Sequence, residues 1–183
     1  MELNKMKAML KQGFSNVWIG IILAFILLSV NSCVISYKLN GASIDYNKTK
    51  TISISDFPNV AELIYPPLAQ EFTETLRDTY VKQTRLQVLK KGGDLKIEGE
   101  ITGYQLTPMG VSANTLAPST KLTVTVNVRF TNTKNPEDDF EKRYTASQTF
   151  NSDRMLNEVE EELVKIIVKE VADNIYNDTV AKW

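Results

Sequence analysis

Residues 121–131 read KLTVTVNVRFT, and they alternate without a break. Leu122, Val124, Val126, Val128 and Phe130 fall on one side; Thr123, Thr125, Asn127 and Arg129 fall on the other. A strict period of two marks a β-strand with one buried face and one wet face. A sheet of such strands needs cover on one side only. The rest of the chain must therefore supply neighbours for this strand and a layer to close its apolar face.

Neighbours lie on both sides in sequence. Upstream, Asp94 to Thr107 sets Leu95, Ile97 and Ile101 on one face, with Gly99 and Gly103 between, and then continues in shifted phase at Tyr104 and Leu106. A phase change at a glycine predicts a β-bulge. Downstream, the turn Asn135-Pro136-Glu137-Asp138-Asp139 leads into Phe140 to Phe150, where Phe140, Tyr144, Ala146 and Phe150 share a face. Further back, Lys50 to Asp56 (KTISISD) alternates about Ile52 and Ile54 and stops at Phe57-Pro58-Asn59. A short extended piece, Leu86 to Leu89, runs into the turn Lys91-Gly92-Gly93.

Two helices supply the cover. Pro66-Pro67 opens the first, since proline is tolerated in the first turn. Leu68, Phe72, Leu76 and Tyr80 then draw one apolar stripe, with Glu71 and Glu74 near the positive end of the helix dipole and an end expected near Gln83. The second helix is expected over about Leu156 to Asn177, with Ser152 or Asp153 as N-cap and a stripe of Leu156, Val159, Leu163, Ile166, Ile167, Val171 and Ile175. Glu158, Glu160, Glu161 and Glu162 load its first half. The order strand, helix, three strands, helix predicts an α/β (α+β) two-layer sandwich. Its sheet is expected to have about four strands and to be covered on one face by two helices. The first helix can act as a crossover that pairs strand 50–56 in parallel with a later strand, making the sheet mixed.

The N-terminal region has a different character. Lys5, Lys7 and Lys11 precede an uncharged apolar run, Val17 to Val30, and Asn31-Ser32-Cys33 follows at once. The run is shorter than the about 20 residues that span a bilayer and fits the core of a secretory signal. A small residue before a cysteine is what lipoprotein signal peptidase requires. The reading is a signal peptide over 1–32, cleavage between Ser32 and Cys33, and lipid attachment on Cys33. An uncleaved signal anchor is the alternative. Val30 and Asn31 depart from the commonest residues of such a box. Cys33 is the only cysteine among the 183 residues, so it has no disulfide partner within the chain. One acyl chain binds a bilayer only marginally, and two or three on one residue hold firmly. Residues 33–49 would be a lipidated tether leading into an edge segment, and 50–183 the α/β domain. Loss of 1–32 removes three lysines and Glu2 and takes the formal charge from −1 to −3. A mildly acidic domain without a basic stripe does not predict a nucleic-acid partner.

Catalytic chemistry has little to work with. The chain contains no histidine, which removes His-based acid–base work, Ser-His-Asp and Cys-His sites, and the commonest transition-metal ligand. No glycine-rich phosphate loop is present. Asp138-Asp139 and Glu160-Glu161-Glu162 read as solvated charge. No catalytic residue, metal ligand or cofactor is predicted, and the expectation is a protein that is not an enzyme.

One segment resists that bland account. Gln105 to Thr120 (QLTPMGVSANTLAPST) joins two strands, carries no charge and includes Leu106, Met109, Val111 and Leu116. Hairpin connections are usually short and polar. A long uncharged one suggests a surface for a partner protein, set against a loop with incidental apolar residues.

Taken in order, Cys33, Tyr37 to Ile44 (YKLNGASI), Lys50 to Ile54 with Phe57-Pro58-Asn59, Phe72 to Asp78 (FTETLRD), Glu98 to Tyr104 (GEITGY within EGEITGY), Leu122 to Lys134, Phe140-Glu141 and the closing Val180-Ala181-Lys182-Trp183 resemble the LptE family of lipopolysaccharide-assembly lipoproteins. The resemblance implies a sheet covered by two helices. It also implies a lipid-anchored place in the outer membrane facing the periplasm, residence in the lumen of the LptD β-barrel as plug and assembly partner, and help in passing lipopolysaccharide to the outer leaflet. No family motif for lipopolysaccharide contact is visible here. On the chain alone, Lys121, Arg129, Lys134 and Arg143 are the candidates, since cations there can pair with phosphates. A solvated sheet face is the competing reading. The alternative function is a free-standing periplasmic lipoprotein that binds a small ligand or peptidoglycan.

Overall fold

The alternating stretch at the centre of the chain sits at the centre of the sheet. In the computed structural model, which describes residues 44–110 and 118–181, the strands are β1 (Thr51–Ile54), β2 (Gln87–Leu89), β3 (Leu95–Met109), β4 (Ser119–Asn132) and β5 (Phe140–Asn151). The helices are α1 (Leu68–Gln83) and α2 (Leu156–Thr179). The spatial order is β2-β1-β3-β4-β5. β1 pairs in parallel with both β2 and β3, whereas β3–β4 and β4–β5 are antiparallel. The architecture is the expected mixed sheet with two helices, with five strands where about four were expected. The added strand is β2. Three residues are too few to show a period, and its identity comes from backbone pairing with β1.

The faces follow the alternation. Leu122, Val124, Val126, Val128 and Phe130 are buried, with Ile52, Ile54, Leu95, Ile97 and Ile101 beside them. The register shifts between Ile101 and Gly103, as the phase change predicted, and Tyr104 lands on the buried side. Leu68, Phe72, Leu76 and Tyr80 of α1 are fully buried against this layer. Gly99 leaves a notch that the Phe57 ring fills: a Cβ there would lie 2.6 Å from that ring and 2.0 Å from the Asn127 carbonyl oxygen. Phe57 meets Phe72 edge-on, and Thr73 Oγ1 accepts its N–H.

Beyond β1 the chain keeps to β3. Ile97 and Ile101 carbonyls accept the N–H groups of Ser55 and Val60, and Ile101 N–H donates to Pro58. Past Ile101 this edge of β3 has no strand beside it among the described residues. At the other end, the β2–β3 connection crosses β1. A Cβ on Gly93 would come within 2.5 Å of the Ser53 nitrogen, so only glycine lets the two backbones approach this closely. Asp94 then staples the crossing to β1 by accepting from the N–H groups of Lys50 and Thr51 and from the Thr51 hydroxyl.

Two tyrosine–carboxylate pairs hold α2 to the sheet. Tyr104 donates to Glu160 near the first turn, and Tyr144 donates to Asp178 in the last (2.8 Å). Burial, and then the adjacent carboxylate, pushes both phenols well above their usual range. Lys142 also reaches Asp178 (2.6 Å), and Tyr80 of α1 meets Thr179.

Several local expectations are corrected. The stripe of α2 runs over Val164, Val168 and Ala172 as well as Val159, Leu163, Ile167, Val171 and Ile175, while Ile166 is exposed. The helix N-cap is Met155, without a side-chain bond; Ser152 instead contacts Thr120. Residues 44–49 form a turn closed on the Asp45 carbonyl, with no strand in them. The remainder of the tether, Ser32 and Cys33 lie outside the described residues. No described helix is long and apolar enough to cross a membrane.

Candidate functional site

Two surfaces carry the residues singled out in the sequence. The first is the end of the sheet around the β3–β4 connection. β3 runs to Met109 and β4 starts at Ser119, so within the stretch expected as a loop over 105–120 residues 105–109 and 119–120 belong to a two-stranded ribbon. The helical layer covers β3 only as far as Tyr104. From Gln105 to Met109 every residue is exposed. Leu106 pairs with Leu122 on the helix side, and Met109 pairs with Ser119 on the opposite face. The two therefore do not form one patch. Val111 and Leu116 lie outside the described residues.

Next to this ribbon the structure adds residues that the sequence reading passed over. The β1–α1 connection exposes Val60, Leu63 and Ile64, the last at 66% of its surface. Tyr65 follows and stacks on Tyr104, two residues from Leu106. The apolar cluster in NVAELIY was legible as composition. Its exposure was not, because an apolar run between a strand and a helix is usually core.

The second surface is the open sheet face opposite the helices. Arg129 and Arg143 lie there in adjacent rows, as expected from their phase. They are not a basic patch. In register, Arg129 stands between Glu98 and Glu141, and Asn127 stands between Glu100 and Arg143. Arg129 forms an ion pair with Glu141 (3.0 Å), and Arg143 Nε donates to Asn127 Oδ1 (3.2 Å). A shallow depression of about 240 Å³ lies among Glu98, Glu100, Asn127, Arg129 and Glu141. Lys121 sits eight residues along β4 from Arg129, roughly 27 Å away at strand rise. Lys134 lies beyond the end of β4 and is paired with Asp94 (3.0 Å). The structure thus brings two of the four cations together and separates the others.

Asp94 is the most strongly perturbed carboxylate of the described residues. The Lys50 backbone N–H, the Lys134 ammonium and Thr51 hold it far below the usual carboxylate range. Its place between two backbone segments makes this a structural staple. No group of three or more His, Cys, Asp or Glu side chains fit to hold a metal occurs among the described residues.

A five-stranded mixed sheet with one helix-covered face, one polar open face and an uncovered ribbon at one end defines a small α+β domain. The family model described as "LptE: Lipopolysaccharide-assembly" matches residues 49–179, and the chain belongs to that family. No curated protein sequence matches the chain. Solved structures similar to it include three lipoproteins. A minor lipoprotein of Acinetobacter baumannii is 14% identical over 67% of this chain and 87% of that one, with a TM-score of 0.44. Rare lipoprotein B of Shewanella oneidensis is 16% identical over 70% and 92%, with a TM-score of 0.43. Lipoprotein B of Nitrosomonas europaea is 19% identical over 69% and 79%, with a TM-score of 0.42.

Proposed function

We propose that this chain is an outer-membrane lipoprotein, acylated on Cys33, whose α+β domain sits in the lumen of an LptD-like β-barrel. There it plugs and helps assemble the barrel and assists passage of lipopolysaccharide to the outer leaflet. Membership of the lipopolysaccharide-assembly family over residues 49–179 carries the reading. The exposed ribbon supports it: Gln105 to Met109 project past the helical layer without a single charge, and a surface of that kind fits contact with a wall. The open face supports it as well, since its alternating charges and hydroxyls suit a polar barrel interior.

The test is a detergent pull-down of the tagged chain from native membranes. A β-barrel partner is expected to co-purify, and deletion of 108–117 is expected to weaken that recovery. Recovery of the chain without any barrel would refute the reading; unchanged recovery after the deletion would remove the ribbon from it. Depletion of the chain is expected to raise sensitivity to large hydrophobic antibiotics. Lys121, Arg129, Lys134 and Arg143 remain the proposed lipopolysaccharide contacts. An Arg129→Ala, Arg143→Ala double variant is expected to bind lipopolysaccharide more weakly and with a shallower salt dependence. Unaltered binding would remove these two arginines.

A further inference from the structure

At the opposite side of the sheet from β5, β1 and β2 run in parallel, joined by α1. Ligands of parallel strand–helix–strand units gather in the crevice outside the carboxyl ends of the strands. Here that crevice is a cleft of about 520 Å³ lined by Ser55, Asp56, Arg77, Val88, Leu89, Lys90 and Lys91. Ser55 and Asp56 follow directly on the end of β1, and Lys90 and Lys91 follow on the end of β2. Arg77 faces them from the middle of α1.

The charges in the cleft are unbalanced. Arg77 is held by two bonds from one nitrogen, Nη2 to the Ile54 carbonyl (2.9 Å) and to Asp56 (2.8 Å). Its other nitrogens make no hydrogen bond among the described residues. Asp56 is the only carboxylate lining the cleft, and its side chain is 90% exposed. Lys90 and Lys91 form no ion pair among the described residues. Three cations therefore share one exposed anion, in a chain whose formal charge is −1. Gly93, two residues after Lys91, packs against the Ile52–Ser53 backbone where the chain crosses β1. Val88 and Leu89 give the same cleft an apolar wall.

We propose that this cleft binds a phosphate monoester, with Arg77, Lys90 and Lys91 as its cationic contacts and Asp56 as the group the phosphate competes with for the guanidinium. A dianionic monoester matches several separate donors better than a carboxylate does, and Arg and Lys are the usual partners of phosphate oxygens. The site is distinct from the open face that carries Arg129 and Arg143, and it does not depend on the barrel reading. The phosphate could belong to a soluble phosphosugar or to the headgroup of a phosphorylated glycolipid. The chemistry of the contacts is shared between the two.

The experiment titrates the purified full chain in detergent at low ionic strength with inorganic phosphate and glucosamine 1-phosphate by calorimetry. In parallel, it measures binding to vesicles containing a phosphorylated glycolipid or its dephosphorylated form. Lys90→Gln with Lys91→Gln is expected to lower affinity about tenfold. Asp56→Asn is expected to raise it several-fold, an effect that a purely structural Arg77–Asp56 pair would not give. Both substitutions fall on exposed side chains, so folding is not at stake. Binding of the soluble monoester assigns the site to soluble ligands. Binding to vesicles alone, lost on dephosphorylation, assigns it to a headgroup packed against Val88 and Leu89. No binding in either arm, or binding that the lysine variant leaves intact, overturns the proposal. Barrel recovery measured on the same preparations keeps the two readings separable, since either can fail while the other stands.

Discussion

Replacing Asp94 by Asn should destabilise the domain in a pH-dependent way. The carboxylate accepts from Lys50 N (3.0 Å), Thr51 N (3.1 Å) and Thr51 Oγ1 (2.9 Å), and its second oxygen pairs with Lys134 at 3.0 Å. Only 20% of the side chain is exposed, so solvent screens these contacts weakly. Hydrogen bonds to a charged group contribute about 1.5–3 kcal/mol, and the half-exposed lysine adds less than about 1 kcal/mol. The amide keeps one acceptor and loses the charge, which gives a loss of about 2–3 kcal/mol near pH 7. The sign with pH follows from the depressed folded pKa. In the unfolded chain the carboxyl protonates near pH 3.9. The stabilisation is complete above that value and falls as pH drops toward the folded pKa, by about 1.4 kcal/mol per unit. Urea unfolding followed by circular dichroism at about pH 7 and about pH 2.5 should show the gap narrowing by about 2 kcal/mol, with unchanged denaturant slope. A gap of equal size at both pH values, or one below about 0.5 kcal/mol at neutral pH, would refute the staple.

Other consequences are simpler to read. Gly99→Ala should cost about 1–3 kcal/mol or more in the same assay, because the new methyl meets the Asn127 carbonyl and the Phe57 ring. The cost of Gly99→Ala should be smaller when measured in a Phe57→Ala background, since the ring is the movable half of the clash. Ile167→Ala, fully buried in α2, should cost about 2–5 kcal/mol, whereas Ile166→Ala, exposed one position earlier, should stay within about 0.5 kcal/mol. Equal losses at 166 and 167 would contradict the helix orientation.

Much of the fold was legible from residue order alone. Strict alternation at 121–131 set the inner and outer faces of β4, and the break at Gly103 announced the register shift between Ile101 and Gly103. Spacing of four from Leu68 to Tyr80 placed the buried stripe of α1. The family was also legible, and the match over 49–179 bears out that membership. These are local properties: side-chain period and turn chemistry fix which face of an element is apolar, whatever that element packs against.

What only the tertiary structure decided is non-local. β2 exists because three residues found the free edge of β1, and no period shows in so short a stretch. α2 is turned so that Val164 and Val168 are buried and Ile166 is not; several apolar residues competed for one stripe, and contact with the sheet chose among them. The chain's cations looked alike in sequence, those named as candidates and those passed over. Strand register put Arg129 between two glutamates, and the tertiary fold put Lys134 against Asp94 and Arg77 beside Lys90 and Lys91 in one cleft. Residue order determines which side chains are charged or apolar. Which of them meet depends on strand pairing across the sheet, where backbone hydrogen bonds and a shared core join residues far apart in the chain.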